Sequence, residues 1–492
     1  MLFNSIEFVL LFLPVAVYGY YQFGYFSHNL AILWLTLLSI FFYSYFSFQS
    51  LPILIGSIFL NYILSVFLIR FNGLFKKIVL ILGIASNLLC LGYYKYCDFF
   101  IQNVNLINRN FGFDLWELQL LVLPIGISFF TFTQIGYLID VYFDRVKNDL
   151  WWKYLLFVTF FPHLIAGPII HHRDVMPQFN NLQASHFQLK KMIEGIVLFG
   201  VGLVKKVLIA DSLAKYVNNF YQQINVSPVD SFSAWMSTFA FSFQLYFDFS
   251  GYSDMALGLG LLFGIVLPIN FNSPYKATSI IDFWQRWHMS LTKYIGEYLY
   301  NPISLKLARI GLGKSKYVEF FYLYMLPTII TFVIIGLWHG PSWSYVIFGL
   351  YHGILISLNH GWRKILGITL PNYVNWFLTF MAVNIGFVIF RSGDMYLTSK
   401  VFASLFGISG HSFIWNNRIF LQILLCILIV KLLPNSSQLF KKGIQSFILE
   451  NSLIHSAPSW VRSIIMPLIL GLLFGVSLVS LTKTTEFLYY QF

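Results

Sequence analysis

An all-α polytopic membrane protein is the fold class the sequence predicts, and three observations predict it. Of 492 residues, 58% are apolar and only 10% are charged, whereas a soluble domain carries roughly a quarter charged residues. Mean hydropathy is +0.71. The apolar residues also gather into runs of spanning length, and at about 20 residues per crossing there is material for ten or more. The formal charge of +12 lies in short loops between these runs, where positive loops facing the cytoplasm account for it without nucleic acid. Cys90, Cys97 and Cys426 sit in or beside apolar runs, at spacings suited neither to a disulfide framework nor to a metal site.

The first run follows Met1-Leu-Phe-Asn-Ser-Ile6, which has no basic segment and no small-residue cleavage site after it. It therefore reads as a retained span. Runs follow at 8–26, 30–48, 51–69, 78–96, 118–141, 193–210, 235–267, 317–337, 343–358, 373–390, 419–433 and 464–481, predicting about eleven crossings. Arg70, Lys76 and Lys77 form the first clearly basic loop, so the third span should end in the cytoplasm, with both chain termini outside. The whole of 1–492 is expected to form one integral membrane domain, with 484–492 an aromatic tail. No internal repeat is evident.

Two stretches break the pattern. In 154–174 an apolar run is interrupted by Pro162, Gly167, Pro168 and the histidines 163, 171 and 172; such backbone survives at membrane depth only against protein or water, which suggests a re-entrant segment lining a cavity. In 282–293, charges alternate with Trp284 and Trp287 too finely for a lipid-facing span, so an interfacial or funnel-lining helix is expected.

Ionisable residues in apolar runs mark pathways, relays or catalytic groups by default. His339 closes the 317–337 run in Gly336-Leu-Trp338-His339-Gly340, with glycines that admit close backbone or substrate. It is either a catalytic imidazole or a histidine bonded between helices. His352 and His360 read as packing residues. His288, among Trp284, Arg286 and Trp287, suits a phosphate-bearing or planar ligand, or else an aromatic belt. Asp248 and Asp254 are six apart and share no helical face unless Gly251 breaks the helix; structural hydrogen bonding is the expectation. The His171/His172 pair lacks helical metal spacing, and no metal site is expected. There is no phosphate loop, nucleophile elbow or GxGxxG. A transporter, the rival class, predicts inverted repeats and intramembrane acid–base pairs, and neither is evident in the sequence.

Met1–Phe8, Phe161–Ile169 with Arg173–Gln178, Phe247–Met255, Asn270–Tyr275, Asp282–Leu291 and Gly336–Gly340 together resemble the membrane-bound O-acyltransferase (MBOAT) superfamily. The similarity is to its bacterial branch, typified by alginate and peptidoglycan O-acetyltransferases and the teichoic acid D-alanyl transfer protein. That resemblance implies a helical bundle whose cytoplasmic and extracytoplasmic funnels meet at a histidine, here His339, with His288 as the second family histidine. It implies acetyl-CoA as donor substrate and no permanently bound cofactor, with D-alanyl transfer as the alternative. Arg286, Trp284, Trp287 and Lys293, with Lys205 and Lys206, suit the phosphates and adenine of coenzyme A. Oxyanion donors could come from Trp338, Trp343 or the backbone near Gly336 and Gly340. The pattern Phe487-x-Tyr489-x-x-Phe492 resembles a C-terminal motif of this system in which the tyrosine accepts the acyl group. Phe487 and Phe492 would anchor it, Tyr489 would act with His339, and Tyr490 is the alternative acceptor; an interfacial aromatic anchor is the competing reading. A separate periplasmic polysaccharide O-acetyltransferase is the expected partner, alongside membrane lipid and with no role for nucleic acid. The acceptor polysaccharide, alginate-like or peptidoglycan, is not encoded in any motif.

Overall fold

Proline sits where the helical winding changes, so that its missing N–H falls where the regular bond ladder is already interrupted: Pro14, Pro302 and Pro327 each take the second position after a π-helical turn, and Pro52 the second after a 3₁₀ turn. The computed structural model describes residues 1–146, 150–367, 369–408, 416–436, 438, 466–482 and 487–488. Among them every regular element is helical. The chain divides into two compact units, Met1–Phe199 with Met255–Pro268, and Gly200–Asp254 with Ile269–Phe492.

The first unit begins with α1 (Leu13–Phe26), α2 (His28–Phe46) and α3 (Leu51–Arg70), then α4 (Gly73–Leu91) and α5 (Cys97–Phe111). A π-helical turn at Gly92–Tyr96 joins the last two, so the predicted 78–96 span lies inside an unbroken helix, Gly73–Phe111, of 39 residues. The 118–141 run is helical only from Ile127 onward. Pro124 lies ahead of α6 (Ile127–Tyr142), and Gly126 precedes it at φ 74, a left-handed conformation that an α-helix cannot include.

The irregular stretch resolves into α7 (Trp151–Thr159), α8 (Phe161–Leu164) and α9 (His172–Phe179). All of residues 156–172 are buried, so this backbone is packed against protein and does not face an aqueous cavity. Phe3, Phe8, Phe42 and Phe161 pack as a ring cluster at its side.

Next come α10 (Leu189–Val204), a π-helical turn at Lys205–Ala210, α11 (Asp211–Val226) and α12 (Ser231–Leu262). Helix α12 runs 32 residues without a break. Gly251 does not interrupt it; a Cβ there would lie 2.7 Å from the Gly202 carbonyl oxygen, so its role is close packing. The second unit continues with α13 (Ile280–Arg286), α14 (Met289–Ile295), α15 (Asn301–Gly311), α16 (Lys316–Phe320) and α17 (Leu326–His339). It ends with α18 (Trp343–Gly361), α19 (Asn372–Ser392), α20 (Met395–Leu405), α21 (Asn417–Leu432) and α22 (Met466–Val479).

Six helical stretches among the described residues are long and apolar enough to cross a membrane: Phe8–Phe26, His28–Phe46, Phe48–Arg70, Gly73–Phe111, Lys316–His339 and Asn372–Ser392. The other predicted runs are helical wholly or in part without reaching that combination.

Helices α17 and α18 cross unusually closely. A Cβ on Gly336 would collide with the Tyr345 carbonyl, and one on Gly349 with that of Phe332. Both obstacles are backbone, which cannot rotate aside. Gly336→Ala is therefore expected to push the helices apart at a cost of about 1–3 kcal/mol, lowering the thermal midpoint in detergent and displacing His339 three residues on. An unchanged midpoint would show that the crossing yields freely.

Candidate active site

The tight crossing fixes the last residue of α17, His339. It is 8% exposed, and its ring meets Trp338 at 5.0 Å, Phe390 of α19 at 5.3 Å and Phe348 of α18 at 6.2 Å. Three helices thus close an aromatic shell around one imidazole. Close approach at Gly336 is by backbone, and at Gly340 by the Tyr345 ring. Of the indoles considered as oxyanion donors, Trp338 lies against His339, while Trp343 is 54% exposed.

His352 enters the same cluster. Phe348 meets it edge-on at 4.7 Å, as it does His339 at 6.2 Å, and the Trp284 indole N–H donates to His352 Nδ1 at 3.3 Å. The i, i+4 spacing of Phe348 and His352 on one helix face was the available signal. His360 is half-buried beside Tyr324.

The 282–293 stretch is no surface helix. It is two seven-residue helices, α13 and α14, separated by Trp287 and His288. Trp284, Trp287 and His288 are all buried. Trp287 packs against Phe271, Phe283 and Phe387, and His288 against Phe249 at 4.8 Å. The charged members stay outward: Arg286 Nε donates to Asp282 at 2.7 Å, and Lys293 is exposed. The two indoles are therefore core residues, and among the four expected coenzyme-binding residues only Arg286 and Lys293 retain substantial accessible surface.

Successive ring contacts link the two histidines: His288 to Phe249, Phe271, Trp287, Phe387, Phe348 and His339. Such a wall excludes water, and electrostatic interactions strengthen in its low dielectric.

Acid–base pairs, not evident in the sequence, are present. Lys206 Nζ lies 2.6 Å from Asp248 and 2.8 Å from Asp211, and Lys205 Nζ lies 2.6 Å from Asp254. The two aspartates occupy different faces of α12, and two consecutive lysines answer them. Ser436 Oγ also donates to Asp254 at 2.8 Å. The adjacent lysines in an apolar run were the overlooked signal, because buried charges must be paired. They are also committed to these carboxylates, so Lys205 and Lys206 are not surface cations awaiting a phosphate.

The tail meets this cluster. Phe487 is 1% exposed, its ring edge-on to Tyr252 at 4.5 Å and beneath the Lys206 ammonium at 4.8 Å. The Leu488 N–H donates to the second oxygen of Asp248 at 3.0 Å. Tyr489, Tyr490 and Phe492 lie outside the described residues. His171 and His172 belong to the first unit, where the His172 ring packs on Tyr137 and Phe157.

Residues 151–406, which carry both His288 and His339, match the family model described as MBOAT, membrane-bound O-acyltransferase family. The chain belongs to the membrane-bound O-acyltransferase family. It is accordingly a multi-pass membrane enzyme, an O-acyltransferase. This membrane-bound O-acyltransferase is 35% identical to the peptidoglycan O-acetyltransferase of Helicobacter pylori, over 100% of the chain and 98% of that protein. It is 37% identical to the probable alginate O-acetylase AlgI of Pseudomonas aeruginosa, over 82% of the chain and 75% of that protein. Similarity extends to the teichoic acid D-alanyltransferase of Streptococcus thermophilus, 26% identical over 56% of the chain and 70% of that protein.

Proposed function

We propose that this O-acyltransferase takes an acetyl group from acetyl-CoA at the cytoplasmic face of the inner membrane and passes it outward for O-acetylation of an extracytoplasmic polysaccharide, alginate-like or peptidoglycan. The observation that carries the reading is His339, a buried imidazole at the end of an apolar span in an almost wholly aromatic shell. An imidazole titrates near working pH, and acyl transfer to a hydroxyl needs such a base in a dry site. Acetyl is favoured over D-alanyl because the O-acetylating relatives align over more of the chain and at higher identity.

The acceptor in this reading is Tyr489. His339 takes the phenolic proton as the oxygen bonds to the thioester carbonyl carbon. The tetrahedral intermediate collapses with cleavage of the C–S bond, and the imidazolium returns the proton to the departing thiolate of coenzyme A. The resulting acetyl-tyrosine is an aryl ester with a good leaving group, from which a separate periplasmic transferase would move the acetyl group to sugar hydroxyls. The burial of Phe487 two residues before Tyr489 supports a tail docked within the protein over a loose interfacial anchor.

Tyr489→Phe tests this, since it keeps the ring and deletes the hydroxyl. Polysaccharide acetylation should be lost, and mass spectrometry of the parent without its partner should find an acetylated C-terminal peptide. Normal acetylation by the Tyr489→Phe protein would refute the relay. D-Alanine esters in place of acetate would identify the other donor.

A further inference from the structure

His288 has φ 46 and ψ 53, the left-handed region, which is uncommon for a residue other than glycine. A strained backbone of this kind persists only where its surroundings over-determine it. We propose that Asn270 is the positioning residue that holds His288 in this conformation. The proposal rests on the reading of His288 as part of the acyl-transfer site.

The bond pattern supports it. Helix α14 starts directly after His288, which supplies no side-chain cap, so its first N–H groups need partners from elsewhere. Asn270 provides them from 19 and 20 positions earlier in the chain. Its carbonyl oxygen accepts from the Met289 N–H at 2.9 Å. Its side-chain Oδ1 accepts from the Ser290 N–H at 3.3 Å and from the Ser290 hydroxyl at 2.6 Å. Asn270 is fully buried, and its Nδ2 donates to Ser253 Oγ of α12 at 3.2 Å, which ties the cap to that 32-residue helix.

The other side of His288 is held by the same segment. The Asn272 N–H donates to the Arg286 carbonyl at 3.0 Å, at the end of α13, and the Arg286 guanidinium returns a bond to the Asn272 carbonyl at 3.2 Å. Between these asparagines, Phe271 packs on Phe249 at 5.1 Å, the ring against which the His288 imidazole lies. Three consecutive residues thus fix the end of one helix, the start of the next and the floor under the imidazole between them. Asparagine is suited to this because one residue offers two acceptors toward α14 and a donor toward α12. Without Oδ1, the α14 start loses its side-chain cap, and the Asn270 hold on it is reduced to the backbone bond from Met289.

A double-mutant cycle on the full-length protein in lipid vesicles tests the inference, with acetyl-CoA as the donor and kcat and KM measured separately. Asn270→Ala should reduce kcat/KM by about 10-fold or more, in the same parameter that His288→Ala alters. Asn270→Asp, which keeps both acceptors toward α14, should recover most of the loss. In a His288→Ala background, Asn270→Ala should add no more than about 2-fold. An equal loss in both backgrounds would mean that Asn270 serves the fold and not His288, and parental activity of Asn270→Ala would overturn the proposal outright. A His288→Ala protein with parental activity would remove the role of His288 in the site and this proposal with it. Should Asn270→Ala fail to fold, Ser290→Ala deletes the 2.6 Å hydroxyl bond to Oδ1 while keeping the backbone N–H bond and enters the same cycle, with a smaller loss that must likewise vanish without His288.

Discussion

A His339→Ala protein should fold and insert as the parent does, yet transfer acetyl groups some 10²–10⁴-fold more slowly, the range that loss of a general base produces. Folding should survive because the glycines that set the α17–α18 crossing are untouched. The truncation does open a void between Trp338, Phe348 and Phe390, which lowers stability through lost contacts. His339→Gln fills most of that void but cannot act as a base near neutral pH. Both variants should therefore be inactive while only the first shows a marked drop in thermal midpoint. Transfer rates from acetyl-CoA, normalised to inserted protein, decide the matter: near-parental turnover in the glutamine variant would assign the base elsewhere.

The largest effect on stability is expected at Lys206. Its side chain is 2% exposed and bridges Asp248, 3% exposed, and Asp211. Lys206→Met leaves two neighbouring carboxylates without their shared cation, and removal of one partner from a buried pair costs about 3–5 kcal/mol. Asp211→Asn should be much milder, because Asp248 remains paired. The double change Lys206→Met, Asp248→Leu removes both buried charges together and should recover most of the lost stability. That double variant would still lack the carboxylate that accepts the Leu488 N–H, so it separates the stability of the helices from the seating of the tail. Thermal unfolding in detergent reads the first and C-terminal protease sensitivity the second. A double variant as unstable as Lys206→Met alone would contradict the pairing account.

What could be read in the sequence was whatever depends on runs and strings. Apolar runs placed the helices, since burying backbone at membrane depth leaves few alternatives to helix, and Gly336–Gly340 with Asp282–Leu291 drew attention to His339 and His288. Local breaks were harder. The 118–141 run looked like one span because hydropathy does not register a left-handed glycine at position 126. The 282–293 stretch looked interfacial because its charges and indoles alternate in sequence; in space Trp284 and Trp287 turn inward while Arg286 and Asp282 pair outward. Pairs distant along the chain were least legible. Nothing local to Lys206 or Asp248 says that they meet, and nothing local to Asn270 says that it caps a helix starting 19 residues later.

The π-helical turn at Lys205–Ala210 carries one further consequence. Lys206 and Asp211 are five residues apart, and on a straight α-helix such residues point about 140° away from each other. They form a 2.8 Å ion pair here because the i→i+5 winding brings residues at that spacing one above the other. The wider winding therefore acts as a phase shifter: it rotates α11 relative to the turn at 200–204 that leads into it. A substitution in this turn removes what one side chain contributes, as Lys206→Met does, and leaves the winding in place. Deleting a single residue from it would restore α-winding, turn Asp211 away from the ammonium and misregister α11 against all its neighbours at once. In this part of the chain, length is constrained as well as composition.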